Sequence, residues 1–143
     1  MKLTKAATQA VFALAYLYDK QTGGITQAKP VAGHLAIPTE SALKILQLLA
    51  RQKLIESQLG RGGGYRLSRD AQSITLLDVV EAIDGPIAAQ VPLHSTAEHL
   101  APSGQRLRAI CEQAAGRIRA ELARVTIAEL HRSTTDDTLA AAG

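Results

Sequence analysis

Residues 60–70 read GRGGGYRLSRD, and the segment after the glycines decides the fold. Glycine-rich loops that cradle phosphate open a helix, whose N-terminus supplies the N–H groups and partial positive charge an anion needs. Here the glycines lead instead into Tyr65-Arg66-Leu67-Ser68, which reads as a strand. The run also lacks the G-x-x-x-x-G-K-[ST] pattern and the dinucleotide spacing. With Leu54-Ile55 on the near side, the stretch predicts a β-hairpin. A tip this poor in Cβ atoms lets its backbone approach a polyanion closely. Arg61 at the tip, with Arg66 and Arg69 on the return leg, supplies charge. An arginine so placed suits a narrow, electronegative minor groove.

Three helices are predicted ahead of the hairpin. Over residues 4–19, Ala7, Val11, Leu14, Ala15 and Tyr18 share one helical stripe. Thr26 is positioned to cap a second helix reaching about Ala36, with Val31, Ala32 and Leu35 inward. Pro30 is tolerated only in a helix's first turn, so this helix is expected to start late or irregularly. Thr39 or Pro38 opens the third, which buries Ala42, Ile45, Leu46 and Leu49. Its opposite face carries Thr39, Glu40, Ser41, Lys44, Gln47 and Arg51. The short Ala36-Ile37-Pro38 connection is what a helix-turn-helix requires.

Beyond the hairpin, Thr75 is placed to cap a helix that buries Leu76, Val79, Val80 and Ile83 and stops at Asp84-Gly85-Pro86. Residues 86–104 show no period and hold Pro86, Pro92 and Pro102, so a loop or linker is expected, a candidate effector segment. From Gln105 to Val125 helical spacing returns, with Leu107, Cys111, Ala114, Ile118, Leu122 and Val125 on one seam. Thr126 is expected to cap a closing turn through Leu130, and residues 132–143 to form a flexible tail. The expected units are therefore residues 1–85, a linker at 86–104, a helix with its closing turn at 105–131, and the tail.

Composition fits a small domain with an aliphatic core. The 143 residues include one Phe, three Tyr and no Trp. Residues 1–69 carry ten Lys/Arg against three acids, a surplus of +7; residues 70–143 carry six Arg against ten acids, a deficit of −4. A basic first half suggests a polyanion-binding module. The single cysteine excludes an intramolecular disulfide framework and any Cys-pair zinc site. No apolar run reaches transmembrane length. The polar Thr4, Lys5, Thr8 and Gln9 make the N-terminus an amphipathic helix of a cytoplasmic protein rather than a leader.

The remaining reactive groups offer little chemistry. His94, Glu98 and His99 lie in the irregular segment and His34 and His131 elsewhere, with no convincing metal-ligand spacing. Cys111 on an apolar seam is either a small packed residue or a redox-active thiol where two copies meet. Asp78, Glu81 and Asp84 read as a solvated helix face. No catalytic arrangement emerges, and no cofactor or metal is expected.

Three helices and a hairpin form the winged helix-turn-helix plan, in which the third helix enters the major groove and the wing reaches an adjacent groove or phosphates. The fold class expected is mostly α, a winged helix-turn-helix domain with a long C-terminal dimerisation helix. The alternative is a winged helix that holds another protein without reading DNA.

The segments KLTKAATQAVFALAYL and IPTESALKILQLLARQKLI, and above all GRGGGYRLSRDAQSITLLDVVEAIDGP, resemble the Rrf-two family of bacterial winged-helix transcription regulators (IscR-, NsrR- and CymR-like). RLRAIC and VTIAEL resemble that family's dimerisation helix and closing turn, so the likeness spans nearly residues 1–131. The resemblance implies a homodimer crossed through the C-terminal helix, a recognition helix over 39–51 and a wing at 58–66. It implies binding to partly palindromic double-stranded operators, usually as a repressor, under an unknown small-molecule or protein effector. The expected DNA contacts are Thr39, Glu40, Ser41, Lys44, Gln47, Arg51, Arg61, Gly62, Gly63, Tyr65 and Arg66. The expected dimer interface is Leu107, Cys111, Ala114, Ile118, Leu122 and Val125. Cluster-binding members place three cysteines in the segment equivalent to residues 90–106; here there are none, and Gln105 stands about where the third would be. Cys111 takes a position that is usually aromatic. Leu59 sits where many members carry arginine, with Arg61 two residues on.

Overall fold

The structure, a computed structural model, describes residues 1–92 and 97–142. Among them run α1 (Lys5–Asp19), α2 (Ala28–Leu35), α3 (Thr39–Arg51), β1 (Ile55–Gln58), β2 (Gly64–Leu67), α4 (Leu76–Asp84), α5 (Ala101–Ala123) and α6 (Ile127–Ala142). This is the expected mostly α winged helix-turn-helix with a long C-terminal helix. No helix of the described residues is long and apolar enough to cross a membrane.

The aliphatic composition becomes a core of Leu14, Val31, Leu46, Leu49, Ile55, Ile74, Val79 and Ile127, all fully buried. α1 is its hub. The Thr4 hydroxyl accepts the Ala7 N–H at 3.0 Å to start that helix, which then buries Ala7, Ala10, Val11, Ala13, Leu14 and Leu17. α1 packs against α2, α3, α4 and α6. Ile127 and Ala128 of α6 are wholly buried in this same core, so the start of α6 is part of the N-terminal module. Backbone bonds reinforce the join: Leu76 N–H to Val125 O and Ile127 N–H to Ile74 O, both at 2.9 Å.

α2 starts late, as Pro30 requires. Its first residue is Ala28, which puts Pro30 in the opening turn where an N–H has no intrahelical partner. Thr26 does not cap it. Thr26 instead exchanges two backbone hydrogen bonds with Tyr65, at 2.8 and 2.7 Å, which ties the wing to the helical body. The turn into α3 passes through Ala36 in the left-handed region (φ 53°), and the Ile37 N–H bonds back to Ala32 O at 3.0 Å.

The acids of α4 lie on a partly solvated face, with Asp84 exposed, and are also tied into the fold. Asp78 and Thr75 form a reciprocal capping box. Glu81 accepts the Ile87 N–H at 3.1 Å, and Asp84 accepts the Thr4 hydroxyl. All three lock chain ends and turns in place.

Two further expectations change at the C-terminal side. α5 begins at Ala101, inside the stretch expected to be loop through residue 104, because Pro102 falls in its first turn where proline is permitted. Thr126 does cap its helix, exchanging bonds with Glu129, but that helix does not close at Leu130. It continues through Ala142 in place of a flexible tail. Ser133 and Thr135 turn their hydroxyls onto Glu129 O and His131 O, both at 3.1 Å, so these polar residues do not break it.

Candidate nucleic-acid interface

α3 is strongly amphipathic. Ala42, Ile45, Leu46 and Leu49 anchor it in the core; Thr39, Glu40, Lys44, Gln47 and Arg51 on the other side are exposed, and Ser41 is half-buried. Lys44 and Arg51 have no ion-pair or hydrogen-bond partner among the described residues. An unpaired ammonium and guanidinium a little under two turns apart are free to neutralise an external anion.

The wing is a hairpin in the register Ile55↔Leu67, Glu56↔Arg66, Ser57↔Tyr65 and Gln58↔Gly64, with Leu59 to Gly63 as its tip. Gly60 and Gly62 adopt φ of +94° and +76°, conformations L side chains rarely take. The Gly63 N–H closes the tip on Gly60 O at 3.0 Å. A Cβ on Gly63 would stand 2.1 Å from Gln58 O, and one on Gly64 would stand 2.5 Å from Thr26 O. These glycines are thus required by the turn and by close backbone packing.

The arginines expected to act together divide. Arg61 is exposed at the tip with no partner among the described residues. Arg66 is paired across the hairpin with Glu56 at 3.0 Å. Arg69 holds Asp78 at 3.1 Å and Ser73 O at 3.4 Å, fastening the wing's exit to α4. Tyr65 is half-buried and packed against the core, so its main roles in the fold are the Thr26 bridge and packing.

The seam on α5 also divides. Cys111 and Ile118, both half-buried, line a cleft of about 380 Å³ with Leu3, Val80, Asp84 and the 86–89 segment. Leu122 and Val125 are half-buried further down, while Leu107 and Ala114 are exposed. Ile110, which sequence reasoning passed over, is 54% exposed beside Leu107 at 50%. From Ala101 to Ile110 every residue except Gly104 is exposed. The 86–89 segment is strapped to α5. Glu112 accepts the Ala89 N–H at 3.2 Å and an Arg119 guanidinium N–H at 3.1 Å, while Arg119 also donates to Ile87 O. The Ala89 amide and the Arg119 guanidinium hold the Glu112 carboxyl below the usual glutamate range.

His34 stacks on Tyr16 at 4.4 Å between centroids, and His131 pairs with Asp19 at 3.3 Å. His94 lies outside the described residues.

The family model Rrf2, described as an iron-dependent transcriptional regulator, matches residues 3–133. A chain of Mycobacterium tuberculosis (strain ATCC 25618 / H37Rv) bearing the provisional description of an HTH-type transcriptional regulator is 34% identical over 89 residues, 62% of this chain and 55% of that one. The protein aau3 of Rhizobium meliloti (strain 1021) is 36% identical over 88 residues, 62% of this chain and 56% of its own length. The matched region thus spans about half the length of these curated relatives. Among solved structures, CymR (YrzC), the global cysteine regulator of B. subtilis, superposes with a TM-score of 0.76 at 20% identity, covering 93% of this chain and 98% of that one. IscR of T. potens superposes at 0.73 and 18% identity, covering 94% and 88%. These two likenesses show the fold.

The family's description invokes iron, and the donors among the described residues do not fit it. Among the described residues no group of three His, Cys, Asp or Glu side chains converges. The one thiol, Cys111, faces a cleft whose lining is mostly aliphatic, with Lys2 and the single carboxylate Asp84.

Proposed function

The chain belongs to the Rrf2 family of DNA-binding transcriptional regulators, and on that premise we propose that it is a homodimeric, cluster-free repressor that reads a partly palindromic operator. α3 enters the major groove, where Thr39, Glu40, Ser41 and Gln47 offer donors and acceptors to base edges and phosphates. Lys44 and Arg51 neutralise phosphates. The wing brings Arg61 and the tip backbone at Gly62 and Gly63 to the adjacent minor groove. Arg66 and Tyr65 support the wing from behind. The observation that carries this reading is the unpaired state of Lys44, Arg51 and Arg61 on exposed faces of the two elements a winged helix presents to DNA.

Dimerisation is supported by the free start of α5. The first ten residues of α5 rise about 15 Å and stand exposed except Gly104, with Leu107 and Ile110 outward, so this end of the helix buries no apolar face within its own chain. A second copy supplies the cover. Two copies place two α3 helices on successive major-groove faces, which a two-fold symmetric site matches. An effector acts on the segment between the DNA module and α5, where the 380 Å³ cleft lies.

Selection of duplexes from a random-sequence pool, followed by gel-shift titration, tests the reading. Enrichment of an inverted repeat is expected, with Lys44→Ala weakening binding about tenfold at an unchanged oligomeric state. No enrichment over random DNA at moderate salt would overturn it.

A further inference from the structure

The wing tip carries a feature that charge does not explain. Leu59 is 92% exposed, the most exposed large apolar side chain among the described residues. Its chain neighbours Gln58 and Gly60 add no apolar side chain beside it. The backbone that carries it has a defined turn. The tip closes through Gly63 on Gly60, two of its glycines sit at positive φ, and the strand behind it is bonded to Thr26. A leucine presented on a narrow, glycine-thin tip two residues from an arginine that has no partner among the described residues suits a groove walled by sugars.

We propose that Leu59 is a specificity-determining residue that enters the minor groove and selects A·T over G·C pairs beneath the wing. The chemistry is exclusion. An A·T pair shows the minor groove only acceptors, whereas a G·C pair adds the guanine 2-amino donor. Leucine has no acceptor for that amino group, so closing over it strips its water without a replacement bond. Over A·T the side chain packs on sugar and base edges, as apolar minor-groove residues do. Arg61, at the mouth of the same groove, neutralises the phosphates that flank it and contributes affinity rather than base choice. This inference rests on the wing reaching DNA.

The experiment uses the full chain and a duplex it has itself selected from a random pool, with the wing steps located by minor-groove footprinting. At those steps A·T is replaced by G·C and, separately, by inosine·C, which lacks the 2-amino group. The expected result is about a tenfold loss with G·C and recovery with inosine·C. In Leu59→Ser, which keeps the exposed position soluble, the two replacements should bind alike. Arg61→Ala should weaken all duplexes equally and keep the preference. If the protein binds its selected duplex but treats A·T, G·C and inosine·C alike, the Leu59 role is overturned and DNA recognition stands. The same holds if Leu59→Ser keeps the full preference. If no duplex is enriched at all, the underlying reading falls and the Leu59 role with it.

Discussion

At the scale of single residues, the wing shows how a motif can be legible while the assignment of its members is not. The glycine run and the strand after it identify the hairpin from sequence, because a phosphate loop demands a helix there. Which arginine stays free depends on cross-strand pairing. Register sets Arg66 opposite Glu56 and their side chains pair, and Arg69 is taken by Asp78. Arg66→Ala should therefore cost less DNA affinity than Arg61→Ala in the same titration; equal losses would show that Arg66 leaves Glu56 on binding. Gly63→Ala probes the turn itself. Its Cβ would overlap a carbonyl oxygen at 2.1 Å, so the tip must open. Expected is a loss of wing amide dispersion and of DNA affinity, with the helical circular dichroism at room temperature unchanged, because the helices do not depend on the tip.

At the scale of elements, periodicity placed α1, α3 and α4 because each has one apolar face and a recognisable start. It misjudged where α5 begins and α6 ends, since Pro102 reads as a breaker and the Ser-Thr-Asp run as a tail until capping and back-bonding are seen. One apolar seam on α5 also hides two jobs. Cys111 and Ile118 face the chain's own cleft, whereas Leu107 and Ile110 face outward. Leu107→Asp with Ile110→Asp should yield monomers by analytical ultracentrifugation with α1 to α4 still folded; a persisting dimer would place the interface elsewhere. The strap between α5 and residues 86–89 has its own signature. Because folding lowers the Glu112 pKa, its contribution is present above the ordinary glutamate range and is lost as pH falls through the lowered value. Glu112→Gln at neutral pH should lower the hydrogen-exchange protection of the Ala89 amide, as should acidification of the parent protein through the lowered Glu112 value once the slower intrinsic exchange in acid is divided out. The sequence offers no sign of this strap, which joins residues 23 positions apart.

At the scale of the whole molecule, charge is segregated along the chain but folding intermixes the two halves. Ile127 and Ala128 from the acidic half complete the core of the basic one, and Asp78 of the acidic half takes Arg69 of the basic half. The basic surplus read from sequence therefore overstates the cations available to DNA, and the count that matters is of unpaired ones at the interface. Lys44, Arg51 and Arg61 have no partner among the described residues, so the proposed dimer would make about six phosphate contacts. The logarithm of the binding constant should then fall against the logarithm of salt concentration with a slope of about −5. Arg61→Ala removes one contact per protomer and should bring the slope to about −4. Arg66→Ala should leave it unchanged, because the Glu56 pair already neutralises that charge. A parent slope near zero would mean that the wing and α3 do not meet the phosphate backbone. An unchanged slope in Arg61→Ala, beside a steep parent slope, would move the phosphate contacts onto α3 alone and leave the wing to act through Leu59.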